Sequence, residues 1–182
     1  LAYPEVRFSL SHGRREIIDC PRVGSHRERL FQLYGKDILD RLLEVEFREG
    51  GGSVSGYSSR PPRGRPDRAR QLFFVNRRLV KDRVLQAALN QAYRGFLEKD
   101  RFPEAFLFLT LPYDEVDVNV HPTKAEVRFR ESQLVFYLLL RSIETALLTE
   151  RGIKEIYAKG KGAVQALGVM EIFHRTPLHP QA

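Results

Sequence analysis

The sequence has 182 residues, 42% hydrophobic and 29% charged, a globular composition that can bury one sizeable core but is too short for two full domains. Thirty Lys and Arg against 23 Asp and Glu give a net charge of +7 and a pI near 9.7, which suits a polyanionic partner such as nucleic acid and suits a plain basic surface as well. Cys20 is the only cysteine and no two of the five histidines are three or four residues apart, which excludes an intrachain disulfide and a thiolate zinc cluster and leaves no metal-ligand spacing. No stretch approaches the roughly 18 to 20 apolar residues of a membrane span, and the start lacks a signal pattern. A soluble intracellular protein is expected. The missing initiator Met, and an opening that enters mid-element at Leu1-Ala2, suggest a piece of a longer chain.

In chain order, 3–10 and 14–19 read as two strands joined by His12-Gly13, with the glycine supplying the turn. Ser25 offers an N-cap to an amphipathic helix over 26–34, ended by Gly35. Residues 41–48 and 53–58, either side of Gly50-Gly51-Gly52, read as a hairpin. The run 59–70, SRPPRGRPDRAR, holds five arginines and three prolines; prolines forbid helix and ladder alike, so an exposed, extended loop is expected. It adds backbone contacts to a nucleic acid or is merely solvated, and having no aromatic residue it does not suggest base stacking.

LFFV at 72–75 suits a strand buried on both faces. Asp82 can cap a helix running to about Leu97, with Leu85, Ala88, Leu89, Ala92 and Phe96 on one face. AFLFLTL at 105–111 is another buried strand. Two alternations follow, Val116, Val118 and Val120 against Asp117, Asn119 and His121, and then Ala125, Val127 and Phe129 against Glu126, Arg128 and Arg130. A strong helix over 132–148 has its seam at Phe136, Leu140, Ile143 and Leu147, and 149–182, with scattered glycines, reads as the start of a linker or tail. The order of elements means α+β, with helices laid against a mixed sheet.

Two groups of residues carry chemistry. Arg77, Arg78, Lys81 and Arg83 surround the strand-to-helix turn. A cation in the first turn of a helix has the wrong sign for the macrodipole, and the same helix end offers free N–H groups, so phosphate binding explains the cluster better than helix stability does. The second group is the strand-turn-strand 116–129, VDVNVHPTKAEVRF, which places Lys124 on a turn stiffened by Pro122. A lysine so held is a point charge suited to a phosphate. The pattern alone is met more simply by an ordinary hairpin with a surface lysine.

This second run resembles the signature DVNVHP-x-K-x-EVRF of the MutL family, and FFVNRRLVKDRVLQAALNQAY at 73–93 is similar to the family's strand, asparagine turn and helix, at the family's spacing. The resemblance covers about residues 1–148. It implies a transducer domain with the fold of ribosomal protein S5 domain 2, a two-layer mixed sheet with helices on one face and a left-handed βαβ crossover, followed from 149 to 182 by linker. It further implies ATP with Mg2+, bound mainly by a GHKL-type ATPase domain N-terminal to this one, with Lys124 contacting the γ-phosphate in a catalytic role. Asn119 would help bind the nucleotide, and His121 and Pro122 would shape the loop. DNA would be bound without sequence preference through Arg77, Arg78, Lys81 and Arg83. The other implied partners are a second copy of the full-length protein and a mismatch-recognition protein of the MutS type, in the bacterial cytoplasm near the nucleoid.

In one place the chain departs from the family, which commonly has Asn-Gly-Arg where this chain reads Asn76-Arg77-Arg78. If the backbone needs a positive φ there, Arg77 costs about 1 kcal/mol, or the turn differs. A stand-alone nucleic-acid-binding module on the same fold and the transducer of a type II topoisomerase remain the alternatives. No general base for water and no glycine-rich phosphate loop of the P-loop kind is present, so the piece alone is not expected to hydrolyse ATP.

Overall fold

The structure is a computed structural model that describes residues 1–117 and 127–150. The chain divides into two units, Leu1–Ala146 and Leu147–Ala182, and of the second only residues 147–150 are described. No described helix is long and apolar enough to cross a membrane.

The chain opens with a hairpin, β1 (Phe8–His12) and β2 (Arg15–Cys20), which forms a sheet of its own. Two short helices follow, α1 (His26–Tyr34) and α2 (Lys36–Leu39). Ser25 starts α1 as expected: its Oγ accepts from the Glu28 N–H at 3.2 Å, while Glu28 Oε2 accepts from the Ser25 N–H at 3.0 Å, a reciprocal capping box. The main sheet holds β3 (Leu42–Glu49), β4 (Gly52–Ser59), β5 (Gln71–Val75), β6 (Arg78–Val80) and β7 (Ala105–Thr110), in the order β3-β4-β7-β5-β6. β5 and β7 are parallel and the other neighbours antiparallel, so this is a mixed sheet. The parallel pair is joined through β6 and the helix α3 (Arg83–Ala92). After β7 come a 3₁₀ turn (Tyr113–Glu115), β8 (Val116–Asp117), β9 (Arg128–Phe129) and α4 (Ser132–Thr149).

Side-chain parity shows which helices cover which face. Tyr57 and Phe106 are cross-strand partners and cluster with Leu30 of α1 and Ile38 and Leu39 of α2. Their immediate neighbours along each strand point the other way. A Cβ on Gly52 would lie 2.8 Å from Leu138 of α4, and Ser58, which shares that parity, has its Oγ 2.9 Å from the Tyr93 hydroxyl just beyond α3. The expected layer of α3 and α4 on one face is therefore present, and α1 and α2 cover part of the other.

α3 ends at Ala92, short of the expected Leu97. Tyr93 is drawn into a buried polar knot, in which its hydroxyl donates to the Ser59 carbonyl at 2.5 Å, and Gly95 takes a φ of 85°. Burial pushes the Tyr93 phenol well above its ordinary pKa, so it is a neutral donor.

Arg29 is a buried cation, 3% exposed. Its guanidinium donates to the carbonyls of Pro4 (2.8 Å), Val6 (2.7 Å), Pro21 (3.2 Å) and Cys20 (3.3 Å). Four carbonyl dipoles replace its water, which is what permits a charge in this position, and they tie the N-terminal segment and the end of β2 to α1.

Gly56 has a φ of 133°, and a Cβ there would meet the Phe106 carbonyl oxygen at 2.1 Å. Backbone, not a flexible side chain, fills that space, so Gly56→Ala must spread β4 from β7. We expect it to lower unfolding free energy by about 2 to 4 kcal/mol. Gly51→Ala, where the added Cβ would find only Pro112 at 3.9 Å but φ is 80°, should cost about 1 kcal/mol. Urea unfolding of the two variants checks both values, and equal losses would mean that the close approach of β4 and β7 is not what fixes Gly56.

Candidate nucleic-acid interface

β5 and β6 form a tight hairpin in which Val75 pairs with Arg78, leaving Asn76 and Arg77 as a two-residue turn. Their φ angles are 46° and 67°, and positive values at both central residues are what a type I′ turn requires. Asn tolerates this region through its short polar side chain; Arg77, which has a Cβ and no such local hydrogen-bonding group, bears a cost of about 1 kcal/mol. The contacts of Arg77 offset it. Its guanidinium ion-pairs with Glu5, donates to the Ala2 carbonyl at 3.3 Å and lies 4.3 Å from the centre of the Tyr3 ring. The Glu5 carboxyl is held below its ordinary pKa first by a backbone hydrogen bond and then by Arg77.

The Asn76 side chain does more than tolerate the turn. Its Nδ2 donates to the Leu111 carbonyl at 3.0 Å, its Oδ1 accepts from the Leu111 N–H at 2.9 Å, and its own N–H donates to the Leu109 carbonyl at 2.9 Å. One amide thus reproduces a strand pairing where β7 has ended, and it clamps the β5–β6 turn to the segment that leads into β8.

Arg78 follows on β6, half-buried, with Nη1 out of solvent and without a hydrogen-bond partner among the described residues. A buried guanidinium N–H lacking an acceptor is a costly arrangement that an incoming anion would relieve. Lys81 and Arg83 are exposed. Asp82 caps α3 through Oδ1, which accepts from the Leu85 N–H at 3.0 Å, and the first turn has no acidic residue. Arg78, Lys81 and Arg83 thus lie along β6 and the step into α3, with Arg83 its first residue, while Arg77 is engaged by the N-terminal segment.

The second candidate group is framed but not described. Val116 pairs with Phe129 and Asp117 with Arg128, antiparallel, as the two alternations require, and the Arg130 N–H donates to the Glu115 carbonyl at 2.9 Å. Asn119, His121, Pro122 and Lys124 lie between these ends, outside the described residues. Among the described residues no group of His, Cys, Asp and Glu could hold a metal ion.

Sequence reasoning missed β6, whose three residues are too few to show a period, and the pair of hydrogen bonds between the Asn76 side chain and Leu111. An Asn in a two-residue turn was the available signal for the second; its distant partner left none.

Residues 30–148 match the family model described as DNA mismatch repair protein, C-terminal domain. The chain is 38% identical over 152 residues to a DNA mismatch repair protein MutL of Rickettsia felis, covering 81% of this chain and 25% of that protein. It is 34% identical over 195 residues to a MutL of Koribacter versatilis, covering 90% of this chain and 30% of the other. It spans between a quarter and a third of the length of these relatives. A crystal structure of the N-terminal domain of a DNA repair protein superposes with a TM-score of 0.68 at 23% identity over 86% of this chain and 51% of the other, a likeness of fold.

Asn76→Ala removes two hydrogen bonds, strands the Leu111 amide and puts a poor residue at a φ of 46°. We expect a loss of about 2 to 4 kcal/mol. Asn76→Asp, which keeps only the acceptor, should fall between. Denaturant melts of both decide, and an Ala variant within 0.5 kcal/mol of the unmodified protein, to take about the range of a neutral surface change, would show the clamp to be idle.

Proposed function

Because this chain belongs to the MutL-type DNA mismatch repair family, we propose that it is the transducer of an ATP-driven repair protein. It couples ATP binding and hydrolysis in an adjacent GHKL-type ATPase domain to dimerisation and to DNA binding without sequence preference. The observation that carries this reading is the run VDVNVHPTKAEVRF at 116–129, whose flanks pair as β8 and β9 and so hold the ends of the lysine-bearing segment together.

On this reading Lys124 contacts the γ-phosphate of an ATP whose remaining contacts, with Mg2+, belong to the adjacent domain. Asn119 supports the nucleotide, and His121 and Pro122 shape the loop. Arg78, Lys81 and Arg83 meet DNA phosphates beside the free N–H groups at the start of α3. Arg77 belongs to the same proposed surface and meets DNA by exchanging its Glu5 partner for a phosphate. The complete protein works as a homodimer and answers to a mismatch-recognition protein of the MutS type.

In the complete protein Lys124→Ala is expected to bind ATP and to hydrolyse it about 10- to 150-fold more slowly, which is what losing one charge-assisted hydrogen bond of 1.5 to 3 kcal/mol in the transition state amounts to. Nucleotide binding by filtration and steady-state phosphate release measure the two halves; an unaltered rate refutes the role. Arg83→Glu should weaken duplex binding equally for unrelated sequences and lower the slope of log affinity against log salt by about 1 to 2. A loss confined to one sequence would count against non-specific backbone contact.

A further inference from the structure

The end of α3 away from Arg83 carries a second basic feature. A cleft of about 330 Å³ opens there, lined by Arg68, Arg94, Glu98, Arg101, Phe102 and Pro103 among others. Its three arginines come from three different segments: the Arg/Pro-rich run, the residues just past α3, and the stretch before β7.

The Arg/Pro-rich run is not a free loop. Arg65 and Phe102 exchange two backbone hydrogen bonds, each of 2.8 Å. Gly64 lets the run settle, since a Cβ there would stand 2.9 Å from the Cβ of Arg101 and 3.3 Å from Leu97. Thus pinned, the run holds the Arg68 guanidinium 4.4 Å from the centre of the Phe102 ring.

Two arginines next to the cleft are neutralised. Arg65 pairs with Asp67 at 2.9 Å, and Arg70 with the buried Glu104 at 2.6 Å. Among the described residues no carboxylate lies within ion-pair distance of Arg68, Arg94 or Arg101. Glu98 is the one acidic side chain on the lining. Like charges held in one concavity repel, and the field is largest where low-dielectric walls confine it, so the arrangement favours an anion. Arg94 just past a helix C-terminus is also explained by the macrodipole. Arg68 is held over the Phe102 ring, and Arg101 has neither account.

We propose that this cleft is a second phosphodiester-binding site, so that one nucleic-acid backbone is held at both ends of α3. α3 runs from Arg83 to Ala92, about 14 Å of rise, and Arg94 lies two residues beyond its end. Phosphates recur every 3.4 Å of axis along each DNA strand, so the two basic ends reach phosphates of a single short duplex. The proposal rests on the reading of this chain as a DNA-binding transducer and adds a site to it.

The test uses the complete protein, a 30-bp duplex and a 30-nucleotide single strand of the same sequence, with affinity measured from 50 to 250 mM KCl. The variant Arg68→Ala/Arg94→Ala/Arg101→Ala should lower the salt slope by about 2 to 3, at about 0.9 per lost phosphate contact. It should also weaken binding at 50 mM salt at least about tenfold, the order that slope implies, with an unchanged melting midpoint. Whichever probe shows the altered slope identifies the source of the phosphate. The charge-keeping variant with lysine at the same three positions should keep the slope; if it too loses slope, the effect is packing and the site is overturned. If the alanine variant binds like the unmodified protein while Arg83→Glu is weakened, the second site is wrong and DNA binding at the start of α3 stands. If both variants bind normally, the DNA-binding reading itself falls.

Discussion

The side-chain amide of Asn76 is the contact on which the functional half of this fold depends. Two elements that carry the candidate chemistry leave the sheet at the same end, that of the C-termini of the parallel strands β5 and β7. One is the β5–β6 turn, which feeds the basic start of α3; the other is the chain after β7, which feeds β8 and the lysine-bearing segment. Neither is tied to the other by strand pairing, because β7 ends at Thr110. The amide supplies the missing pair by bonding both the N–H and the carbonyl of Leu111. A buried backbone group without a partner costs about 1 to 3 kcal/mol, so a turn shifted away from this position would lose both bonds together. That is why Asn76 accepts a positive φ, and why Arg77 must accept one as well.

The opposite end of the sheet is fixed by a different device. Ser58, Ser59, Tyr93 and Glu104 exchange hydrogen bonds between the end of β4, the end of α3 and the entry to β7, with the Glu104 carboxylate facing Arg70. Buried polar groups of this kind specify one arrangement because each partner left unmatched is penalised. The network stops α3 early and holds the Arg/Pro-rich run against the sheet. α3 is thus anchored at its start by the Asp82 cap and at its end by Tyr93, and its two basic ends sit on fixed points.

Much of this was legible from local pattern. The glycine run 50–52 between alternating segments gave the β3–β4 hairpin, the apolar runs at 72–75 and 105–111 gave two buried strands, and Ser25 and Asp82 marked helix starts. What was not legible depends on partners far along the chain. The apolar residues of 93–97 extend the helical pattern of α3, and only the distant serines reveal why it stops. In α4, where 134–140 are apolar almost all round, the period cannot choose a face. Leu140, Ile143 and Leu147 of the expected seam are buried, but so are Val135, Leu138 and Leu139, and Phe136 is only partly so. Five arginines and three prolines looked like solvent-exposed chain, but Gly64 and Arg65 seat that run against residues 97–102. The basic start of α3 was legible as a cluster, while the commitment of Arg77 to Glu5, 72 positions away, was not.

Magnitudes decide how such a domain could act as a switch. A single charge-assisted hydrogen bond from a lysine to a phosphate is worth about 1.5 to 3 kcal/mol. Moving a two-state equilibrium from 1:99 to 99:1 takes about 5.5 kcal/mol of differential affinity. On the proposed reading Lys124 is therefore a trigger that supplies part of the difference, and docking between domains and between subunits must supply the rest. Docking energy acts on a switch only if the parts that move are stiff, since a pliable element would absorb it locally. The Asn76 clamp, the Arg29 cage and the Ser-Tyr-Glu network each penalise local yielding by leaving buried polar groups unpaired. On the proposed reading, a domain braced in this way transmits a small displacement of the lysine-bearing segment to the basic turn, because Asn76 bonds the β5–β6 turn to Leu111, on the chain that leads into β8.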